Sequence, residues 1–562
     1  MEWQGVEIQV KVPCGESRTH YARLRFTGWG EYEVAYNRCE QSPSAASVSE
    51  APCARYLREE FPKVFRHNTE LRLQLVAAMH QAGRSAVPCL VHALGDSHLR
   101  VREAACEALG RLGDPQAVPA LSVWAHAGDY AALGALQRLR QPVLPLPQAV
   151  SQLVAQGLWE VLIRALPNPS VCAVVAQHGA RALPHLLRAL EDECDLTRAA
   201  ACRALGAIGD PQAVPHLLQA LRDSEQWVRR AACVALGAIG DPQAVPYLIQ
   251  ALRDCDEDTR AAACVALGQI GDPQATPHLL QALEDSDSYV RAAVGVALGA
   301  IGDLHAVPRL LHALGDSDSR VRTAACVALG KLGDPQAVPA LSVWAHAGDA
   351  VAGDALRTLG RPALALQQAV FEVAAQGLWS VLIRASFRAS VRRAIAQLGT
   401  QAIPHLLQAI KDGDRRIRRA AGDILHRIGA PAVPHLIQAL SDWDERLRRA
   451  ACRVLGALGD PQAVPYLIRA LGDYDRYVRW GACVALGQIG DPQAVPHLIQ
   501  AIGDRDWRIC RAACVALGQI GDPQAIPHLA YLTQSWSLKP QVRAAAQQAI
   551  AQINAQHAQQ PP

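Results

Sequence analysis

Three side-chain types in this chain could do chemistry, and each recurs in register. Histidine follows a proline at His185, His216, His278, His405, His435, His497 and His528. Cysteine holds one position at Cys106, Cys202, Cys233, Cys264, Cys326, Cys452, Cys483 and Cys514. Arginine forms a third row at Arg102, Arg198, Arg229, Arg260, Arg291, Arg322, Arg418, Arg448 and Arg479. Aspartates precede proline at Asp210, Asp241, Asp272, Asp460, Asp491 and Asp522. A metal centre needs ligands converging within about 2 Å of one ion. Adjacent histidines lie a whole repeat apart, and Tyr247, Arg309 and Tyr466 replace them without pattern, so they read as partly exposed first-turn residues. The regular arginines and aspartates read as hydrogen bonds and caps between units. Catalysis would require a departure from these rows.

The spacing comes from a repeat. GDPQAVPHLLQALRDSEQWVRRAACVALGAIG begins at Gly209, and related units begin at Gly240, Gly271 and Gly302, at one constant spacing. Asp210 before Pro211 ends one helix, because the residue before proline is pushed from the α region. Pro215 suits the first turn of the next, helix A, which carries Val214, Leu217, Leu218 and Leu221 at core spacing. Asp223 and Glu225 mark a turn, and either can cap helix B. That helix carries Val228, Ala231, Ala232, Ala235, Leu236 and Ile239 until Gly240 ends it. One such pair cannot bury its apolar stripe alone. The fold class is therefore all-α, an α-α superhelix (α-solenoid) of about fifteen helix pairs, preceded by a small β-rich unit.

The cysteine row fits this packing. Gly295 and Gly422 occupy the same position elsewhere, which marks a small buried site. Neighbouring helices lie about 8–10 Å apart, beyond the Cα separation a disulfide tolerates. Reduced, buried thiols are the expectation. The formal net charge of +3 over 562 residues does not point to a polyanion partner. The opening MEWQGVEIQVKV lacks the pattern of a signal peptide, and no apolar run is long enough to span a bilayer. A soluble, cytoplasmic protein without membrane insertion is expected.

Residues 1–40 read as the β-rich unit, with strands at Val6–Val12, Tyr21–Phe26 and Tyr32–Tyr36. Residues 41–53 read as a linker, 54–553 as the solenoid, and 554–562 as a disordered tail. The solenoid opens with a helical stretch from Ala54 to Gly83. Two irregular inserts, near 120–183 and 340–403, are copies of one another: PALSVWAHAGD at Pro119–Asp129 recurs at Pro339–Asp349, and AQGLW at Ala155–Trp159 recurs at Ala375–Trp379. Their tryptophans, Trp124, Trp159, Trp344 and Trp379, read as core filling.

Departures from the repeat gather late in the chain. Positions equivalent to Arg230, Val234 and Ala238 share one face of helix B and vary freely, which predicts exposure. Late units place Arg419, Asp423, Arg427, Arg449, Arg453, Trp480 and Arg511 there, and adjacent turns add Arg415, Arg416, Trp443, Tyr474, Arg476, Tyr477, Arg505 and Trp507. From His405 to Ile520 there are 16 Lys+Arg against 12 Asp+Glu, whereas Gly209 to Ala340 holds 10 against 16. In a solenoid, helix B of each pair lines the concave surface, so these residues read as a candidate partner-binding groove that would suit an acidic protein or a carboxylate-bearing ligand through arginine forks and aromatic stacking.

The unit GDPQAVPHLLQAL…VRRAACVALGAIG resembles the HEAT-like repeat of the phycobilisome lyase type from Val87 to Ile553. That resemblance implies a relation to E/F-type lyase subunits, which attach or isomerise bilin chromophores on phycobiliprotein cysteines, or to phycobilisome-degradation factors. No catalytic residue is carried over from it. Deoxyhypusine hydroxylase also resembles these units, but its His-Glu pairs are missing. The matching dipeptides here are Glu103-Ala104, Arg230-Ala231 and Arg449-Ala450. A di-iron site would have no ligands. HEAT-like DNA glycosylases are similar too, but interleaved aspartates and low net charge disfavour nucleic acid. The resemblance implies a protein-binding scaffold in phycobilisome assembly or turnover, with a phycobiliprotein or another solenoid subunit as partner and no resident cofactor. The alternative is a lyase or isomerase subunit, with a phycocyanobilin-type bilin as transferred ligand.

Overall fold

The structure is a computed structural model that describes residues 6–13, 19–26, 32–38, 65, 67–534 and 539–558. It divides into two compact units, Met1–Ala282 and Leu283–Pro562. The repeat that begins at Gly209 shows how the helices arise. Asp210 has extended backbone, and its carboxylate accepts from the Gln212 amide, starting the 3-10 turn Pro211–Ala213. Helix A follows at Val214–Ala220 and buries Val214 and Leu217. Helix B spans Gln226–Ile239 and ends at Gly240, whose φ of 76° suits a residue without a Cβ.

The two turn acids divide the capping work. Asp223 accepts from the Glu225 amide at 2.9 Å, while Glu225, at the N-cap of helix B, makes no side-chain cap bond. Its extra methylene makes the short reach back to the helix amides less favourable. Where aspartate holds that position, as at Asp256, Asp287, Asp444 and Asp475, the carboxylate does cap the helix.

Within each compact unit, helix B packs mainly on helix B of the next repeat. The seam is made of small residues. A Cβ at Gly237 would lie 2.7 Å from Ala266 Cα, and one at Gly299 would stand equally close to Ala328 Cα. Alanine-rich helices can approach this closely only with glycine at the contact.

Arginine then fixes the register. Arg229 Nη1 donates to the carbonyl oxygens of Asp223 and Ser224, both at 3.0 Å, in its own turn. Its Nε and Nη2 fork onto Asp254 of the next repeat at 2.7 and 2.8 Å. The same fork joins Arg198 to Asp223, Arg291 to Asp316, Arg448 to Asp473 and Arg479 to Asp504. In the last unit Cys510 replaces the arginine, and its Sγ donates to the Asp504 carbonyl at 3.0 Å.

The expected three-stranded unit is present as β1 (Val6–Pro13), β2 (Thr19–Phe26) and β3 (Tyr32–Arg38), antiparallel in the order β1-β2-β3. Phe26 is buried, with its ring 5.6 Å from Phe65. The linker and the segment before Phe65 lie outside the described residues. The first described long helix is Thr69–Gln81, capped by Asn68. At the other end, the final helix runs Pro540–Ala558, beyond the expected stop near Ile553. Alanine and glutamine favour helix there, and His557 Nε2 reaches the Gly521 carbonyl at 3.0 Å. Residues 559–562 lie outside the described residues.

Each insert consists of four short helices. The first has Tyr130–Leu139, Leu146–Ala155, Trp159–Ala165 and Pro169–Ala176; the second has Ala350–Thr358, Leu366–Ala375, Trp379–Ala385 and Ala389–Ala396. The copies share internal contacts. Ser122 and Ser342 accept from the Leu144 and Leu364 amides at 3.0 Å, and Trp159 and Trp379 stack on His185 and His405. Trp124, Trp159 and Trp344 are buried, and Trp379 is half-buried.

The forked aspartates predict an acid limit. Burial alone would raise the carboxyls of Asp223, Asp254, Asp316 and Asp504, but their arginine and amide donors outweigh it and hold them below the ordinary value of 3.8. A depressed folded-state value stabilises the protein above the unfolded value, and that stabilisation disappears as pH falls through the folded one. Thermal melting should be flat from neutrality to about pH 5 and decline below about pH 4. Asp254→Asn should shrink that decline.

Candidate partner-binding surface

The regular rows do not assemble a reactive centre. Histidines of the row are exposed or half-buried at separate first turns. Among the described residues, no group of three or more His, Cys, Asp or Glu side chains is placed to hold a metal ion. The row cysteines are buried. Burial pushes the thiols of Cys202, Cys233, Cys326, Cys452, Cys483 and Cys514 up to about 12, so they stay protonated at neutral pH and are poor nucleophiles.

Helix B carries a second row on its exposed face, where Arg230, Val234 and Ala238 are exposed as the pattern predicts. Its chemistry depends on the residue that faces it from the next repeat. In the first compact unit Arg230 Nη1 meets Asp258 of the following helix B at 2.9 Å. In the second, the same step brings Arg449 over the ring of Tyr477, with its guanidinium carbon 4.8 Å from the centroid. At the positions matching Asp258, Arg419 and Trp480 are followed by Arg446 and Arg508. At this step the acidic partner has been replaced by aromatic or basic residues, so among the described residues no carboxylate of the next repeat pairs with Arg419 or Arg449, and the row's own acid is Asp423, one turn from Arg419 and Arg427. The sequence contains this relation only as an offset between repeats, which is why the row alone did not reveal it.

The predicted residues fall as follows. Arg415, Arg419, Arg427, Arg449, Arg453 and Arg511 are exposed. Among the described residues none of the six has a carboxylate within 4.0 Å. Trp443 is 79% exposed beneath Lys411, whose Nζ lies 5.4 Å from the ring. Tyr477 and Trp480 are exposed as well, while Trp507 is half-buried and covered by the Arg508 guanidinium at 5.4 Å. Arg453 lies against Gly422, which leaves room for its guanidinium by lacking a Cβ. The structure brings Arg449 and Tyr477 together with Arg476, also expected on this surface, whose guanidinium carbon lies 4.8 Å from the same ring centroid. Arg427, in the last turn of its helix, takes no part in that ring cluster.

The HEAT-repeat profile matches residues 65–140, 170–232, 214–298, 276–360, 433–510 and 490–551. The chain belongs to the HEAT-repeat family. A second profile, the PBS lyase HEAT-like repeat, matches 387–412 and 417–442 of this HEAT chain. No curated protein matches it. Among solved structures it is similar to the complex of CpcE and CpcF of phycocyanin lyase from Nostoc sp. PCC7120, at 26% identity over 26% of this chain and 97% of that one, with a TM-score of 0.25. It is also similar to human deoxyhypusine hydroxylase, at 24% identity over 55% of this chain and 96% of that one (TM-score 0.21). A Kap95p structure bound to RanGDP gives 15% identity over 90% of each chain and a TM-score of 0.32. No described helix is long and apolar enough to cross a membrane.

The thiol assignment is directly checkable. Alkylation of the native HEAT chain followed by peptide mass spectrometry should label the exposed Cys255. The eight row cysteines should stay unlabelled until denaturant is added. Labelling of Cys233 or Cys483 at a rate comparable to Cys255 would contradict their burial.

Proposed function

We propose that this HEAT chain is a scaffold that binds an acidic protein surface through the uncompensated helix-B row of its later repeats, in phycobilisome assembly or turnover. The observation that carries the reading is the change of partner across repeats, from Arg230 with Asp258 to Arg449 with Tyr477. An exposed guanidinium without its own carboxylate, beside aromatic rings, has the make-up of an interface anchor. The phycobilisome context is supported by the PBS lyase HEAT-like match, whose second segment, 417–442, contains Arg419 and Arg427. The candidate partner is a phycobiliprotein or another solenoid subunit.

The same match favours a second reading, a subunit of an E/F-type bilin lyase or isomerase. In that case the chain would hold chromophore and acceptor cysteine in register, and catalysis would be largely positioning.

One experiment separates them. The purified chain is mixed with an apo-phycobiliprotein and phycocyanobilin, then assayed for complex formation and for a visible chromophore that survives denaturant. The scaffold reading expects a complex that weakens with salt, without a covalent adduct. Arg419→Ala, Arg449→Ala and Arg453→Ala combined should weaken it about tenfold or more. Wild-type affinity in the triple variant would remove the row from the interface. A denaturant-resistant chromophore dependent on this chain would replace the scaffold with the lyase.

A further inference from the structure

The arginine fork fails at the entrance to each insert, and the two failures are not alike. Where the fork is complete, as at Arg229, Nη1 binds carbonyls of the local turn, while Nε and Nη2 hold the aspartate of the next turn; Arg418 makes only the local half, and Lys411 takes the matching Asp442. Arg322 keeps the first half, with Nη1 donating to the Asp316 and Ser317 carbonyls at 2.9 and 3.1 Å. It lacks the second half, because Ala347 stands where the aspartate would be. Its guanidinium lies over Trp344 instead, 5.1 Å from the ring centroid. Two donors are left buried without an acceptor, Arg322 Nε and Trp344 Nε1. Trp344 itself is only 3% exposed.

A cavity of about 240 Å³ adjoins this pair, within the second compact unit. Its wall holds Arg322, Arg384 and Arg416 against one carboxylate, Asp414, along with Ser386 and Phe387. Arg384 is paired with Asp412 at 3.1 Å. Among the described residues Arg322 and Arg416 have no carboxylate partner. The Asp414 carboxylate is engaged in accepting from the Arg416 amide at 2.7 Å. Burial, with Arg384 nearby, pulls the Arg322 guanidinium below its ordinary range, the opposite of the forked arginines Arg291 and Arg479. The site is positively charged, partly dry and short of an acceptor.

The first copy supplies a comparison inside the same chain. Arg102 lies over Trp124 at 4.8 Å, and Arg102 Nε and Trp124 Nε1 are likewise buried without acceptors. At the matching positions of the first copy, however, Leu166, Pro167 and Leu196 stand where the second has Ser386, Phe387 and Arg416. The Arg–Trp pair is common to both inserts, and the polar, cationic rim belongs to the second alone.

We propose that the cavity beside Arg322 and Trp344 is a binding site for a small organic carboxylate, which takes up the unfilled side of the Arg322 fork as aspartate does in regular repeats. Arg416 and Ser386 supply the rim, and the rings of Trp344 and Phe387, 6.4 Å apart, bound the organic part. The space far exceeds the roughly 30 Å³ that one water takes up in the liquid, so a molecule of several heavy atoms is of suitable size.

The test is titration of the full chain with benzoate, and separately with neutral benzamide, at constant ionic strength, followed by calorimetry and tryptophan fluorescence. Benzoate should bind in the millimolar range or tighter, and benzamide should not. Arg322→Gln should weaken benzoate about tenfold or more, and Arg416→Gln, an exposed change that leaves the ladder intact, severalfold. Arg102→Gln should leave it unchanged. Three results would each overturn the site: no benzoate binding up to about 50 mM, equal binding of benzamide, or wild-type affinity in both Arg322→Gln and Arg416→Gln when circular dichroism shows them folded.

Discussion

The register of the regular repeats depends on one contact, the guanidinium of helix B that clasps its own turn with one nitrogen and the next repeat's aspartate with the other two. Arg229 does both at once, reaching the Asp223 carbonyl and the Asp254 carboxylate. A pair of short helices cannot bury its apolar stripe alone, so each repeat must recognise its neighbour in a fixed register. The Gly237–Ala266 seam brings helices close, but small surfaces slide easily. A two-pronged charged hydrogen bond has direction and resists sliding. Because Asp254 also binds the Asp256 amide, the clasp shapes the turn from which the next helix B starts.

Both candidate sites arise where charge compensation between repeats is withdrawn. On the exposed face of helix B, the Arg230–Asp258 pair is replaced later by Arg449 over Tyr477. At the second insert, the clasp of Arg322 lacks its aspartate and leaves a cation beside a cavity. Cation without carboxylate is costly for a chain to retain when nothing else uses it, particularly when partly dehydrated. That cost gives a physical reason to look for ligands there rather than along the rows of histidine or cysteine, whose members never meet.

Much of this was legible from residue order. The constant repeat period, Pro215 in helix A, Gly240 at a left-handed turn and the alternating strands near the start each have a local cause that sequence exposes. The exposure of Arg419 and Arg449 followed from helical spacing and from the free variation of that row between repeats. Other features depend on contacts between repeats and were hidden. Nothing local distinguishes Arg230, which has an acid opposite it, from Arg449, which has a ring. Trp344 reads as core filling, and it is buried, yet its indole nitrogen lacks an acceptor, and Ala347 at the end of the same helix leaves Arg322 without its aspartate. Glu225 shows the same limit at smaller scale: Asp223 and Asp254 bind the N-cap amide alike, but Asp256 caps its helix where Glu225 does not.

The claim that regular arginines are structural, and only the uncompensated ones are available for binding, is tested most directly by a double-mutant cycle. Arg229→Ala, Asp254→Ala and the double variant would be compared by native-state hydrogen exchange in helices Gln226–Ile239 and Glu257–Ile270. The clasp predicts that each single change lowers local stability by about 2 kcal/mol and that the pair couples by about 1–3 kcal/mol, the double variant costing less than the sum. Additive or negligible effects on exchange would contradict the account.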